Sequence, residues 1–156
     1  MNSVLETILP RQANNDYRGG QVPLWGFCLL FATEIFSATV HLLTPDSGKE
    51  MIAGMIRFEG TPDPNVVVYA FGALSGANEM LLVIIFAVIL WRYRNLIPFL
   101  LFILFTEQVL RLLVSTLHPI GPEYFEHTPP ARLAMLPLML FSALMLLLAV
   151  RNSSKS

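Results

Sequence analysis

The sequence predicts an all-α polytopic membrane protein, a bundle of four transmembrane helices. Its composition and the lengths of its apolar stretches predict this fold. Of the 156 residues, 54% are hydrophobic and 13% are charged, whereas soluble domains carry about 25% charged residues. The mean hydropathy is +0.60. So apolar a chain has too little polar surface for a cytosolic enzyme, a nucleic-acid-binding protein or a disordered protein, and these classes are excluded.

Four apolar stretches are predicted to be the transmembrane helices. About 20 residues at a rise of 1.5 Å cross a hydrocarbon core of about 30 Å. In lipid the backbone N–H and C=O groups must hydrogen-bond within the segment, so these stretches are expected to be helices. Prolines stand at most of the ends, where a helix begins or ends. In chain order the stretches are residues 24–44 between Pro23 and Pro45, residues 66–91 after the prolines at 62 and 64, residues 96–117 before Pro119, and residues 131–150 after the Pro129–Pro130 pair.

The four helices are predicted to form one membrane domain, residues 24–150, between an N-terminal segment of residues 1–23 and a tail of residues 151–156. The loop between the first two helices is long enough to hold structure of its own. Residues 49–58 are predicted to form a short amphipathic helix on the outer membrane face, capped by Asp46 or Ser47. Its apolar residues at helical spacing are Met51, Ile52, Met55 and Ile56.

The distribution of basic residues predicts the orientation. With four spans, both termini lie on the same side of the membrane, and basic residues near helix ends stay in the cytoplasm. The side of the termini holds Arg11, Arg18, Arg92, Arg94, Arg151 and Lys155, and the other side holds Lys49, Arg57 and Arg132. We therefore expect a multi-pass protein of the inner (plasma) membrane with both termini in the cytoplasm.

Polar side chains inside the predicted spans are the candidate functional residues. Ionisable groups are rare at membrane depth, because each costs about 2.5–3.5 kcal/mol to insert. The candidates are Glu34 and His41 on the first helix, Asn78 and Glu79 on the second, and Glu107, Arg111 and His118 on the third. In the interior of the fourth span, Ser142 is the only polar residue.

On each of the first three helices, most of these residues fall on one narrow stripe, because successive residues turn by about 100°. Stripes facing lipid would be costly, so we expect them to face one another and to form a polar cleft that opens to the outside. Three carboxylates would then share one guanidinium near the membrane midplane. The stripes are Glu34, Ser37, His41 and Thr44, then Tyr69, Gly72, Gly76 and Glu79, then Glu107, Arg111, Ser115 and His118.

The residues leave several uses of the cleft open. The first is a pocket that binds a small amphipathic molecule, lipid or quinone-like. The second is an accessory subunit of a larger membrane complex, whose polar residues form a purely structural core. The third is a membrane-embedded enzyme, or a haem protein with His41 and His118 as its two axial ligands. No metal-ligand spacing is present, and Cys28 is the single cysteine.

The partners follow from the same composition. The apolar composition predicts contact with the lipid bilayer. The sequence also permits assembly into a homo-oligomer or a larger membrane complex. Nucleic acid is not expected, since the formal net charge is −1 and gives no field that would attract phosphates. The sequence does not identify a cofactor.

Several ordered segments carry a resemblance to a known family. They are NDYRG at 15–19, SATVH at 37–41 followed by DSG at 46–48, RYRNLIP at 92–98, Glu107 with Arg111, and HTPP at 127–130. In these segments, over nearly its whole length, the chain resembles a family of uncharacterised small bacterial four-helix integral membrane proteins. It is also similar to DoxX-like proteins in size and helix count. The resemblance implies the architecture and no activity.

Overall fold

The predicted four-helix architecture is confirmed. The computed structural model describes residues 4–154, so the first three residues and Lys155 of the predicted tail lie outside the described residues. Four helices are long and apolar enough to cross a membrane. The helices are α1 (Val4–Ile8), α2 (Gln21–Leu43), α3 (Asn65–Arg92), α4 (Ile97–Leu117) and α5 (Pro130–Ser153).

Helix α2 begins three residues before the predicted span. Pro23 lies in its first turn instead of ahead of it, because the amide that proline lacks has no intrahelical partner there. A tight connection with a 3-10 turn, Arg94–Leu96, joins α3 to α4. Long loops, residues 44–64 and 118–129, join the other neighbouring helices. We call the side of these loops the long-loop end and the opposite side the termini end.

The four long helices pack as two hairpins. Helix α2 packs along α3, α4 packs along α5, and α2 also contacts α5, whereas α3 and α4 touch only slightly. The hydrophobic core lies at the termini end, where aromatic rings of α2 and α3 meet. The rings of Phe27 and Phe86 are 6.0 Å apart. The buried core residues are Phe27, Leu30, Phe86, Ile97, Leu100, Leu101, Leu104, Met145 and Ala149.

The bundle is less tightly packed at the long-loop end. Among the described residues, α4 has no buried residue after Gln108, and α5 has none before Ser142. The last turns of α4 are exposed from Leu113 onwards. Apolar side chains therefore fill the interior at the termini end, whereas α4 and α5 bury few residues at the long-loop end.

The predicted amphipathic helix at residues 49–58 is wrong. Residues 45–53 form consecutive turns and the chain then extends. Asp46 holds these turns together, because its carboxylate accepts hydrogen bonds from the amides of Gly48, Glu50 and Met51 at 2.8–3.0 Å. Gly54, at φ +65°, interrupts the predicted helix at its middle. Ser47 and Gly48, at φ +53° and +68°, turn the chain out of the helical conformation.

The extended part of this loop pairs with the second long loop. The amide of Ile56 donates to the carbonyl of Tyr124 at 3.1 Å, and that of Glu126 donates to the carbonyl of Gly54 at 2.7 Å. The rings of Phe58 and Tyr124 lie 6.0 Å apart. The two long loops therefore form one layer at the long-loop end.

Helices α2 and α3 approach closely at Gly76. A Cβ atom there would lie 2.5 Å from the amide nitrogen of Leu42 and 2.6 Å from the carbonyl carbon of His41. Both are backbone atoms, so no rotamer change can make room. Small residues permit such an approach between helices in a membrane.

We predict that Gly76→Val destabilises the bundle by about 1–3 kcal/mol, the usual cost of overpacking. The exposed neighbour Ala77 provides the control, because Ala77→Val adds its methyl groups on the outer surface and should change stability by less than about 0.5 kcal/mol. The measurement is the unfolding midpoint in mixed detergent micelles. Equal midpoints for the two variants would contradict the close approach.

Candidate functional site

Polar side chains from three helices meet inside the long-loop half of the bundle. The residues share one interior surface although they come from separate parts of the sequence. We call this group the polar cluster: Glu34, Ser37 and His41 from α2, Glu79 from α3, and Glu107 and Arg111 from α4.

Glu79 is the centre of the cluster. Its Oε2 accepts a hydrogen bond from the hydroxyl of Ser37 at 2.9 Å and lies 3.2 Å from Nδ1 of His41. Its Oε1 accepts from Nη2 of Arg111 at 3.0 Å. An ionised carboxylate only accepts, so the contact with His41 places a proton on Nδ1. The Nε2 atom of His41 is then left to meet another group.

Arg111 joins α3 and α4, two helices that otherwise touch only slightly. Its Nε and Nη2 donate to Oε1 of Glu107, one turn earlier on α4, at 3.0 and 2.5 Å. The same Nη2 reaches Glu79 on α3. A single guanidinium therefore satisfies two carboxylates at once, as its fork of donors allows.

Glu34 is buried beside this network without a bond to it. It is 8% exposed, and among the described residues its carboxylate has no hydrogen-bond partner. The charges of Glu107, Arg111 and Glu79 all act on it. A buried carboxyl group normally finds a partner, because leaving it without one costs free energy. Glu34 is thus the member of the cluster without a hydrogen bond, and its carboxyl oxygens keep some accessible surface, since among the described residues only the Tyr17 hydroxyl is a fully buried polar atom without a partner.

Lys49 supplies a second cation that the sequence analysis missed. It lies in the turns of the first long loop, half-buried, and burial lowers its pKa although the carboxylate of Glu79 works in the opposite direction. Its stem crosses Gly72, where a Cβ atom would lie 2.8 Å from Cε. Within residues 4–154, no carboxylate lies within 4.0 Å of its ammonium. A helical stripe cannot reveal a loop residue, but three carboxylates facing one guanidinium indicated that another cation was needed.

The loop that carries Lys49 is held in place by polar contacts at both sides. The pKa of Asp46 is lowered: burial alone would raise it, but the hydrogen bonds from backbone amides of the turn outweigh burial. The hydroxyl of Tyr69, on α3, donates to the carboxylate of Glu50. Ser47 donates to the carbonyl of His41 at 2.6 Å. Together these contacts fix the turn over the end of the α2–α3 hairpin.

The structure brings together five of the seven candidates and leaves two apart. Glu34, His41, Glu79, Glu107 and Arg111 belong to the polar cluster, joined by Ser37. Asn78 lies on the outer surface of α3 and is exposed, and His118 is exposed just beyond the last turn of α4. In the part of the chain that the structure describes, no hydrogen bond or ion pair connects either side chain to the cluster.

The two histidines therefore do not share one site. His41 is engaged with Glu79, whereas His118 lies at the exposed end of α4. Among residues 4–154, no group of three histidine, cysteine or carboxylate side chains is arranged to hold a metal ion. A shallow groove of about 500 Å³ lies in the loop layer, between Pro45, Met55 and Glu126, outside the polar cluster.

Comparisons of the chain with protein-family models, with curated proteins and with solved structures find no match. The resemblance to the bacterial four-helix family stays a prediction.

We predict that Arg111→Ala destabilises the bundle by about 1–3 kcal/mol, since it removes the charged hydrogen bonds to Glu79 and Glu107. Neutralising both carboxylates as well, with Glu79→Gln and Glu107→Gln, should recover most of that loss. Arg132→Ala, at an exposed arginine near the start of α5, is the matched control and should leave stability nearly unchanged. Unfolding in mixed micelles measures all of them. If the triple variant is no more stable than Arg111→Ala, the ion pairs do not hold the hairpins together.

Proposed function

We propose that this protein is an integral inner-membrane protein whose polar cluster forms an intramembrane site, open toward the outside, for a small amphipathic molecule of the lipid or quinone type. The observation that carries the proposal is Glu34, a buried carboxylate without a hydrogen-bond partner among the described residues. Its position beside a fully bonded network indicates a group that has been left for a ligand.

Two further groups support a ligand at this place. The ammonium of Lys49 reaches toward the cluster from the loop side and has no carboxylate within 4.0 Å among residues 4–154. His41 uses Nδ1 for Glu79 and keeps Nε2 for another partner. The charge of Glu79 acts on both Lys49 and Glu34, and His41 contacts Glu79 directly, so the three groups are arranged around one carboxylate.

The charges favour a head group that is neutral overall. Glu34, Glu79 and Glu107 are balanced in large part by Arg111 and Lys49, so a ligand with a strong net charge would leave an uncompensated charge in a region of low dielectric. A head group that donates a hydrogen bond to Glu34 and accepts one from Lys49 fits this pattern. Quinols and zwitterionic lipids both carry such groups on an apolar body.

The alternative of an accessory subunit with a purely structural core is supported by a different observation. Glu79 and Arg111 satisfy each other within the chain, as a core that only holds helices together would do. The two alternatives differ at Glu34. A structural core needs no free carboxylate, so neutralising Glu34 would relieve a cost and affect no ligand.

We predict that Glu34→Gln and Lys49→Ala each weaken ligand binding by about tenfold or more. A hydrogen bond to a charged group is worth about 1.5–3 kcal/mol, and about 1.4 kcal/mol is a factor of ten in affinity. The measurement is the thermal stabilisation of the purified protein by a short-chain ubiquinone, by the corresponding quinol and by a zwitterionic phospholipid, in separate titrations. These arms distinguish the quinone-type ligand from the lipid.

The control for this experiment is Glu59→Gln, at an exposed carboxylate of the first long loop. It removes the same charge outside the cluster and should leave every titration unchanged. Stabilisation of wild type, Glu34→Gln and Glu59→Gln to the same extent by every compound would overturn the binding site. Such a result would favour the structural core.

We also predict that the termini lie in the cytoplasm, because basic residues concentrate at that end. In a Cys28→Ser background, an impermeant thiol reagent applied to intact spheroplasts should label Glu59→Cys in the long-loop end. Ser154→Cys, at the end of α5, should be labelled only after the membrane is opened. The reverse pattern would invert the orientation and would place the open side of the cluster toward the cytoplasm.

A further inference from the structure

A second polar residue at membrane depth is unsatisfied, and it faces away from the cluster. Asn78 lies at the middle of α3 (Asn65–Arg92) and is exposed on the surface of the bundle. Its neighbour Glu79 points inward, to Ser37 and His41. Because successive residues on a helix are about 100° apart, Asn78 cannot share that direction. Among residues 4–154, its amide has no hydrogen-bond partner.

The surroundings of Asn78 on this surface are apolar apart from one serine. Residues three, four and seven positions away share its side of the helix. We call this surface the α3 outer face, and its exposed residues are Phe71, Leu74, Ser75, Asn78, Leu81 and Ile85. An amide at the centre of an apolar stripe gains nothing from acyl chains, which offer neither a donor nor an acceptor. A polar side chain in such a position commonly bonds across to another helix.

We infer that the α3 outer face is the docking surface for a second copy of this chain, with the two Asn78 amides hydrogen-bonded to each other. Two copies with the same orientation in one membrane are related by a twofold axis along the membrane normal, and every residue then meets its own counterpart at the same depth. The amide carries both a donor and an acceptor. A pair of identical amides therefore satisfies itself, which a pair of like charges could not do.

The exposure of its residues shows that no other part of the described chain covers this face. The α3 outer face and the polar cluster lie on different sides of α3, so the inference does not depend on the ligand site. A polar residue in an apolar stripe also fixes the register of a helix pair. The dimer would thus be aligned at the membrane midplane.

The test uses two neighbouring isoleucines on α3. Ile85 lies on the α3 outer face, whereas Ile84 is exposed about 100° further round the helix. In a Cys28→Ser background, oxidation in native membranes should cross-link Ile85→Cys into a dimer, with a yield several-fold above that of Ile84→Cys. Adding Asn78→Leu, which keeps the size and removes the amide, should abolish the Ile85→Cys cross-link. Adding Asn78→Gln should retain it.

Light scattering in mild detergent gives a second readout. The wild-type protein should have twice the 17.5 kDa chain mass, and Asn78→Leu should have the mass of one chain while keeping its unfolding midpoint. Equal cross-linking at both isoleucines, a dimer that survives Asn78→Leu, or a monomer in native membranes would each overturn the inference. Cross-linking of Ile85→Cys to a different protein would also overturn it, because the occupant would not be a second copy.

Discussion

The carboxylate of Glu79 holds three helices together, and much of the long-loop half of the bundle depends on it. One carboxylate oxygen accepts a hydrogen bond from the hydroxyl of Ser37 and contacts His41, both on α2. The other oxygen accepts a hydrogen bond from Arg111 on α4. The Glu79 side chain is only 13% exposed, and its bonds fix the rotations of the helices that supply the partners. The close approach at Gly76 belongs to the same arrangement, since it brings the backbones of α2 and α3 near enough for the side chains to meet.

The two halves of the bundle are stabilised in different ways. At the termini end, interlocked apolar and aromatic side chains fill the interior, and α4 and α5 both contribute buried residues. At the long-loop end, α4 is linked to α3 mainly through Arg111, and its last turns are exposed. Glu34 lies near this boundary: it follows the apolar core residue Leu30 by one turn of α2 and precedes the polar contacts of Ser37 and His41.

The features that could be predicted from the sequence are those that depend on apolar length and on helical periodicity. The spans follow from apolar length, and the joining of Glu34, His41, Glu79, Glu107 and Arg111 follows from their helical stripes. His118 continues the α4 stripe in sequence but not in space, because the helix ends at Leu117 and its last turns face outward. The loop helix failed for a local reason. Ser47, Gly48 and Gly54 have positive φ angles that interrupt a helix, and no hydrophobic pattern records such a backbone conformation. Lys49 was missed with it, because its position depends on the folded turn.

Asn78 and Glu79 show why two adjacent polar residues need separate explanations. Both lie at the middle of α3, and the sequence analysis placed both in one pocket on account of their depth. Depth alone does not determine direction: a step of about 100° sends one side chain into the bundle and the other out of it. The inward residue is satisfied by contacts within the chain. The outward one has only lipid or another protein to meet, and lipid provides no hydrogen bond at that depth. Two neighbouring residues thus belong to two different surfaces of the molecule, one inside the bundle and one on its outer face.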